Sequence, residues 1–157
     1  MSARAEQSAP RRLDEQLLSA AIDEANASGG SPLLLLEERA GFGPTELTAA
    51  LARAFDYRFL TGTELSRFEP AFDVLSPSEA ARRHCMLVRD GQRLLAVLAD
   101  PFDADLRGWL EVRVSDVLEW ALAPRAEIDA YVSRHEQSLR ALDSTLAANT
   151  NQNIAGS

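Results

Sequence analysis

The stretch from Cys85 to Pro101, CMLVRDGQRLLAVLADP, constrains the fold more than any other part of the chain. Two apolar runs meet at Asp90-Gly91, a pair favoured in two-residue hairpin turns because glycine, and less easily aspartate, tolerates positive φ. The second run, Leu94 to Ala99, is apolar at every position. A strand with one wet face alternates, so an unbroken run predicts a strand covered on both faces and central in its sheet. Asp100-Pro101 stops it, because proline removes a backbone donor and restrains the residue before it.

The segments around this hairpin read in order. Residues 1–11 carry no periodicity and are expected to be a flexible lead-in. Leu13, Leu17, Leu18, Ala21, Ile22 and Ala25 then recur at helical spacing and end at Ser28-Gly29-Gly30. Ser31-Pro32 restarts a short helix through the apolar run Leu33 to Leu36, and Pro44 opens a third helix with Leu47, Leu51, Ala54 and Phe55 on one stripe. Residues 12–62 thus form a helical subdomain. Tyr57 to Leu60 reads as a brief strand or extended segment at its end. Residues 63–142 form an α/β subdomain. Ser76-x-x-Glu79 is a capping box ahead of a helix reaching about Arg83, and Asp103 caps a helix over about 104–111. Asp116 to Ala123 is a third strand, and Pro124 opens a last helix whose Ile128, Tyr131, Val132, His135, Leu139 and Leu142 share a stripe. Periodicity fades near Asp143, so 143–157 is expected to be a flexible tail or linker. The fold class predicted is α+β: a small N-terminal helical unit followed by a three-stranded sheet packed with helices.

Composition removes several functions. All sixteen basic residues are arginine, against 24 acidic ones, for a net charge of −8. Such a surface repels nucleic acid and anionic lipid, so no nucleic-acid partner is expected. Without lysine there is neither a P-loop lysine nor a Schiff-base amine. No apolar run approaches the roughly 18–20 residues of a bilayer span, so no direct membrane insertion is expected. One cysteine, Cys85, fits a reducing compartment.

No motif carries catalysis, and the chain is expected not to be an enzyme. His84 and Cys85 are neighbours on what reads as a strand, so they point to opposite faces; with His135 they offer no metal-ligand spacing. Asp100, Asp103 and Asp105 lack the glycine and distant glutamate of a calcium loop. Gly29-Gly30 and Gly41-x-Gly43 follow no strand, which makes them turn glycines rather than a dinucleotide fingerprint. The arginine pairs 11–12 and 82–83 read as solvated charge, with anion contact as the alternative. No catalytic, cofactor-binding or metal residue is therefore assigned, and no cofactor is expected.

LLAVLADPFD, a helix, a strand and then APRAEIDAYVSRH together resemble the N-terminal domain of type II secretion ATPases and type IV pilus assembly ATPases. The resemblance also runs through GFGPTELTAALARAF and SPSEAARRHCMLVRD and spans residues 13 to 137. It implies a docking or regulatory role at the cytoplasmic face of the inner membrane, against a platform protein. A similar domain type is fused ahead of bacterial membrane glycosyltransferases, where the partner would be a following catalytic domain. Some relatives bind cyclic di-GMP through a motif that aligns with SPLLLLEERAGFGPTELTAALARA. Here Ser31 stands at the motif's Arg, Leu33 and Ala40 at glycines, and Ala54 at its Gln, while Leu47 and Leu51 persist. Losing the guanidinium and the close-approach glycines argues against cyclic di-GMP binding by this mode, which leaves a nucleotide second-messenger sensor, with its ligand at the helical unit, as the disfavoured alternative.

Overall fold

A computed structural model describes residues 13–39, 41–114 and 117–155. Three helices come first. α1 (Glu15–Ser28) is capped by Asp14, whose carboxylate accepts from the Gln16 amide at 2.9 Å, and it ends at Gly29 in the left-handed region, φ 73°. α2 (Pro32–Arg39) and α3 (Pro44–Phe55) open on their prolines. There the missing N–H falls among donors that have no intrahelical partner anyway. Glu24 and Arg39 pair through both guanidinium nitrogens and tie α1 to α2. Leu36, Leu47 and Leu51 turn inward and are buried.

The rest of the chain runs β1 (Arg58–Phe59), α4 (Gly62–Leu65), β2 (Glu69–Pro70), α5 (Pro77–Arg83), β3 (Cys85–Asp90), β4 (Arg93–Leu98), α6 (Ala104–Arg113), β5 (Leu118–Leu122) and α7 (Arg125–Ala155). Hydroxyl caps start two of the short helices. Ser76 accepts from the Glu79 amide, one half of the capping box the sequence indicates, while its hydroxyl donates to the Glu79 carboxylate; Thr61 with Glu64 satisfies both halves at α4.

The sheet order is β1-β5-β4-β3-β2, which puts β4 in the middle. β3 and β4 are antiparallel, from Cys85 opposite Leu98 to Asp90 opposite Arg93, and β4 runs parallel to β5 from Leu94–Leu118 to Leu98–Leu122. Leu94 to Leu98 are all buried, as the unbroken apolar run required. The class is α+β as expected, but the sheet has five strands rather than three. The additional edges, β1 beside β5 and β2 beside β3, are two residues each, too short to show any alternation. Proline is tolerated in β2 because the strand is an edge.

The hairpin turn is displaced by one residue from its expected place. Asp90 still pairs with Arg93, so the loop is Gly91-Gln92. Only Gly91 takes positive φ, 64°, with the sign pattern of a type II′ turn, which asks for glycine first. α7 also continues to Ala155, through much of the segment read as a tail.

One apolar cluster joins the sheet, α6 and the helical unit, with Ile128, Tyr131 and Val132 of α7 lying over β3 and β4. Each fully buried leucine in it stabilises the fold by about 1.5–3 kcal/mol relative to exposure. The Tyr131 hydroxyl donates to the Phe68 carbonyl at 2.7 Å, which fastens α7 to the segment after α4.

Candidate functional site

α5 ends at His84, which closes the helix in the left-handed conformation (φ 52°, ψ 47°) while its N–H donates to the Ala80 carbonyl. A residue with a β-carbon is strained there by about 1–2 kcal/mol. His84 is thus a helix cap and not a strand residue, which corrects the reading of it as Cys85's neighbour on a strand. Its ring reaches α7: Nδ1 lies 3.0 Å from Asp129 Oδ1 and Nε2 2.6 Å from Arg125 Nη2. Arginine only donates, so Nε2 accepts and Nδ1–H donates to the carboxylate. The arrangement fixes where the Arg125 guanidinium stands.

That guanidinium borders a cleft of about 570 Å³ between the helical unit and the carboxyl end of the central strand. Leu33, Leu34 and Leu47 form its apolar wall, and Arg83, His84, Asp100, Arg125 and Asp129 its polar one. The volume falls in the usual range for small-molecule sites, about 300–1,000 Å³. Leu34 is 58% exposed, an apolar side chain left open at the cleft.

The acids of the cleft are mostly committed. Asp100 Oδ1 accepts from the Phe102 amide at 2.9 Å, Asp103 caps α6 by accepting from Leu106, and Asp129 holds His84. Burial pushes the Asp100 carboxyl above its ordinary range, opposed by the Phe102 hydrogen bond. Arg83 lies over the Trp109 ring at 4.2 Å and makes no ion pair among the described residues. A cation held on an aromatic face keeps its N–H edges available. Two arginines and an apolar wall suit a ligand that combines phosphate with a flat or apolar moiety.

Other residues considered from the sequence lie elsewhere. Cys85 is buried at the start of β3, where burial pushes its thiol up to about 12 and leaves it inert. His135 packs on Tyr131 with ring centroids 4.4 Å apart. Ser31 and Leu33, at the motif's Arg and first Gly positions, line the cleft; Ala54 is exposed on α3; Ala40 lies outside the described residues. Among the described residues no group of three or more His, Cys, Asp or Glu could hold a metal ion, and no helix is long and apolar enough to cross a membrane.

The fold and cleft define an α+β domain in which a helical unit and a mixed sheet face each other across a small-molecule-sized gap. The family model described as the MshEN domain matches residues 55–142, and the chain belongs to that family. Among solved structures, MshE with cdg is 22% identical with a TM-score of 0.58, the alignment covering 78% of this chain and 89% of that one. Two crystal forms of the N-terminal domain of XpsE are 22% and 23% identical, with TM-scores of 0.56 and 0.58; each covers 84% of this chain, and 92% and 91% of the XpsE chains. A comparison with curated proteins finds no match. The family match and these neighbours bear out the resemblance to the N-terminal domain of type II secretion and type IV pilus assembly ATPases.

These comparisons correct one expectation. The motif positions weigh against cyclic di-GMP as a partner, yet a structural neighbour sharing this fold was solved with cdg. Those motif positions all lie between Ser31 and Ala54, and of them Ser31, Leu33 and Leu47 line the cleft. The fold brings Arg83 and Arg125 to the same cleft from segments distant in sequence.

Proposed function

We propose that this domain is the non-catalytic, regulatory N-terminal module of a secretion- or pilus-ATPase-like protein. It binds a phosphate-bearing nucleotide, cyclic di-GMP being the first to test, and passes the bound state on by protein contact. The observation that carries this reading is the cleft. Arg83 and Arg125 line it together with Leu33, Leu34 and Leu47 in a domain of the MshEN family. The likeness to MshE with cdg supports the choice of nucleotide. Each arginine–phosphate contact is a charge-assisted hydrogen bond worth about 1.5–3 kcal/mol, or roughly ten- to a hundredfold in affinity.

Calorimetric titration of the intact chain with cyclic di-GMP is the test. Saturable binding that weakens at least tenfold in Arg83→Ala and in Arg125→Ala, with unchanged circular dichroism, is the expected result. No binding to the wild type, or binding indifferent to both arginines, refutes the reading.

The protein contact is with an inner-membrane platform protein at the cytoplasmic face if the parent is an ATPase. It is with a following catalytic domain if the parent is a membrane glycosyltransferase. A helix reaching past the body of the domain supports contact of this kind. Walker motifs or a glycosyltransferase domain in the parent reading frame separate the two contexts, and co-sedimentation with the platform's cytoplasmic region tests the first.

A further inference from the structure

α7 outruns the domain it belongs to. Ile128, Tyr131 and Val132 are buried, whereas every side chain from Gln137 to Thr145 is exposed. At about 1.5 Å per residue, the helix from Gln137 to Ala155 reaches roughly 28 Å beyond its bedded turns. The apolar stripe does not stop where the core does. Ile128, Val132, His135, Leu139 and Leu142 follow one another at alternating steps of four and three, the spacing of a coiled-coil seam. Leu139 is 41% and Leu142 56% exposed.

The margins of this seam differ in charge. Glu136 and Asp143, one heptad apart, flank it on one side; Ser138 and Thr145 flank it on the other. Arg134 and Arg140 fall outside both margins, and the Glu136–Arg140 pair at 2.5 Å is a link along the helix rather than across the seam. Turns supported by so little of their own are marginal in water, since most helical stability comes from packing an apolar face.

We propose that α7 beyond His135 is a docking arm for an amphipathic helix of a partner protein, with apolar seam positions and Lys or Arg facing Glu136 and Asp143. This rests on the protein-contact half of the function proposed above and names its surface. A second copy of the chain is the poorer occupant. Antiparallel pairing sets the acidic margins against each other, parallel pairing sets them against Ser138 and Thr145, and neither supplies an opposite charge to a chain already at −8.

The experiment uses the intact chain and two labelled synthetic helices of about four heptads with identical apolar seams. One carries Lys and the other Glu at its margins, and anisotropy reads binding. The Lys helix is expected to bind at least tenfold more tightly than the Glu helix. Leu139→Ser combined with Leu142→Ser is expected to weaken it tenfold or more while leaving circular dichroism and the cyclic di-GMP titration unchanged. Equal binding of both helices, no saturable binding, or indifference to the serine substitutions overturns the proposal. So does a wild-type dimer in sedimentation equilibrium that the substitutions dissolve. Platform protein bound equally by wild type and the serine variant overturns the arm while leaving the protein-contact reading intact.

Discussion

Tyr131→Phe isolates the buried hydrogen bond that ties α7 to the segment after α4. Tyr131 is fully buried, burial raises its phenol well above the ordinary range, and its hydroxyl donates to the Phe68 carbonyl at 2.7 Å across 63 residues of sequence. The substitution keeps the ring, so it opens no cavity larger than one oxygen. What it removes is a hydrogen bond worth a net ~0.5–1.5 kcal/mol, and it leaves a carbonyl without that partner. A loss of about 1–2 kcal/mol follows. Tyr131→Ala adds the cavity and is expected to cost about 3–5 kcal/mol. In urea, with a slope of about 1–3 kcal/mol/M, the Phe variant's midpoint falls by roughly 0.5–1 M at unchanged slope. On heating, its Tm falls by about 3–6 °C. A Phe variant indistinguishable from wild type would show that the hydroxyl adds nothing to the hold on α7. A Phe variant as damaged as the Ala variant would show that the ring itself depends on the hydroxyl, and either result refutes the argument.

Four further outcomes are expected. Because burial raises Asp100, the folded chain keeps that proton at pH values where the unfolded chain has released it. Stability therefore falls as pH climbs above the usual carboxylate range, and urea denaturation across pH should find that slope flattened in Asp100→Asn. Asp100→Ala, which also loses the hydrogen bond from Phe102, should be less stable than Asp100→Asn by about 1 kcal/mol. The Cys85 thiol, raised to about 12, should not react with a thiol reagent at pH 8 in the native chain and should react at once in guanidinium. His84→Gly relieves the left-handed strain of about 1–2 kcal/mol but releases Arg125 and Asp129, so it should change the thermal midpoint little while weakening cyclic di-GMP binding several-fold.

Much of the architecture is legible before any coordinates. Leu94 to Ala99 announces a strand covered on both faces, and β4 is the central strand. Pro32, Pro44, Ser76 and Asp103 mark helix starts where helices start, and Gly29 marks an end. These signals are local. A proline, a cap or an apolar run acts on the backbone within a few residues of itself, so its effect can be read from its neighbours.

The remainder is non-local, and spacing does not encode it. β1 falls inside the extended segment expected over Tyr57 to Leu60, but its pairing with β5 is a matter of packing, and β2 at Glu69-Pro70 exists because β3 offers it a free edge. Gly91-Gln92 forms the turn because cross-strand register holds Asp90 opposite Arg93, which a favourable Asp-Gly pair cannot reveal. His84 reads as a strand residue until packing makes it the end of α5 and turns its ring to Asp129 and Arg125. The cleft is the strongest case: its arginines stand 42 positions apart and line it together with leucines from the helical unit. Sequence by itself determined most of the helices, the β3–β4 hairpin, the central strand and the family resemblance, because backbone preference and periodicity are short-range. Only the tertiary structure decided which charges share a cavity, because that depends on how the elements pack.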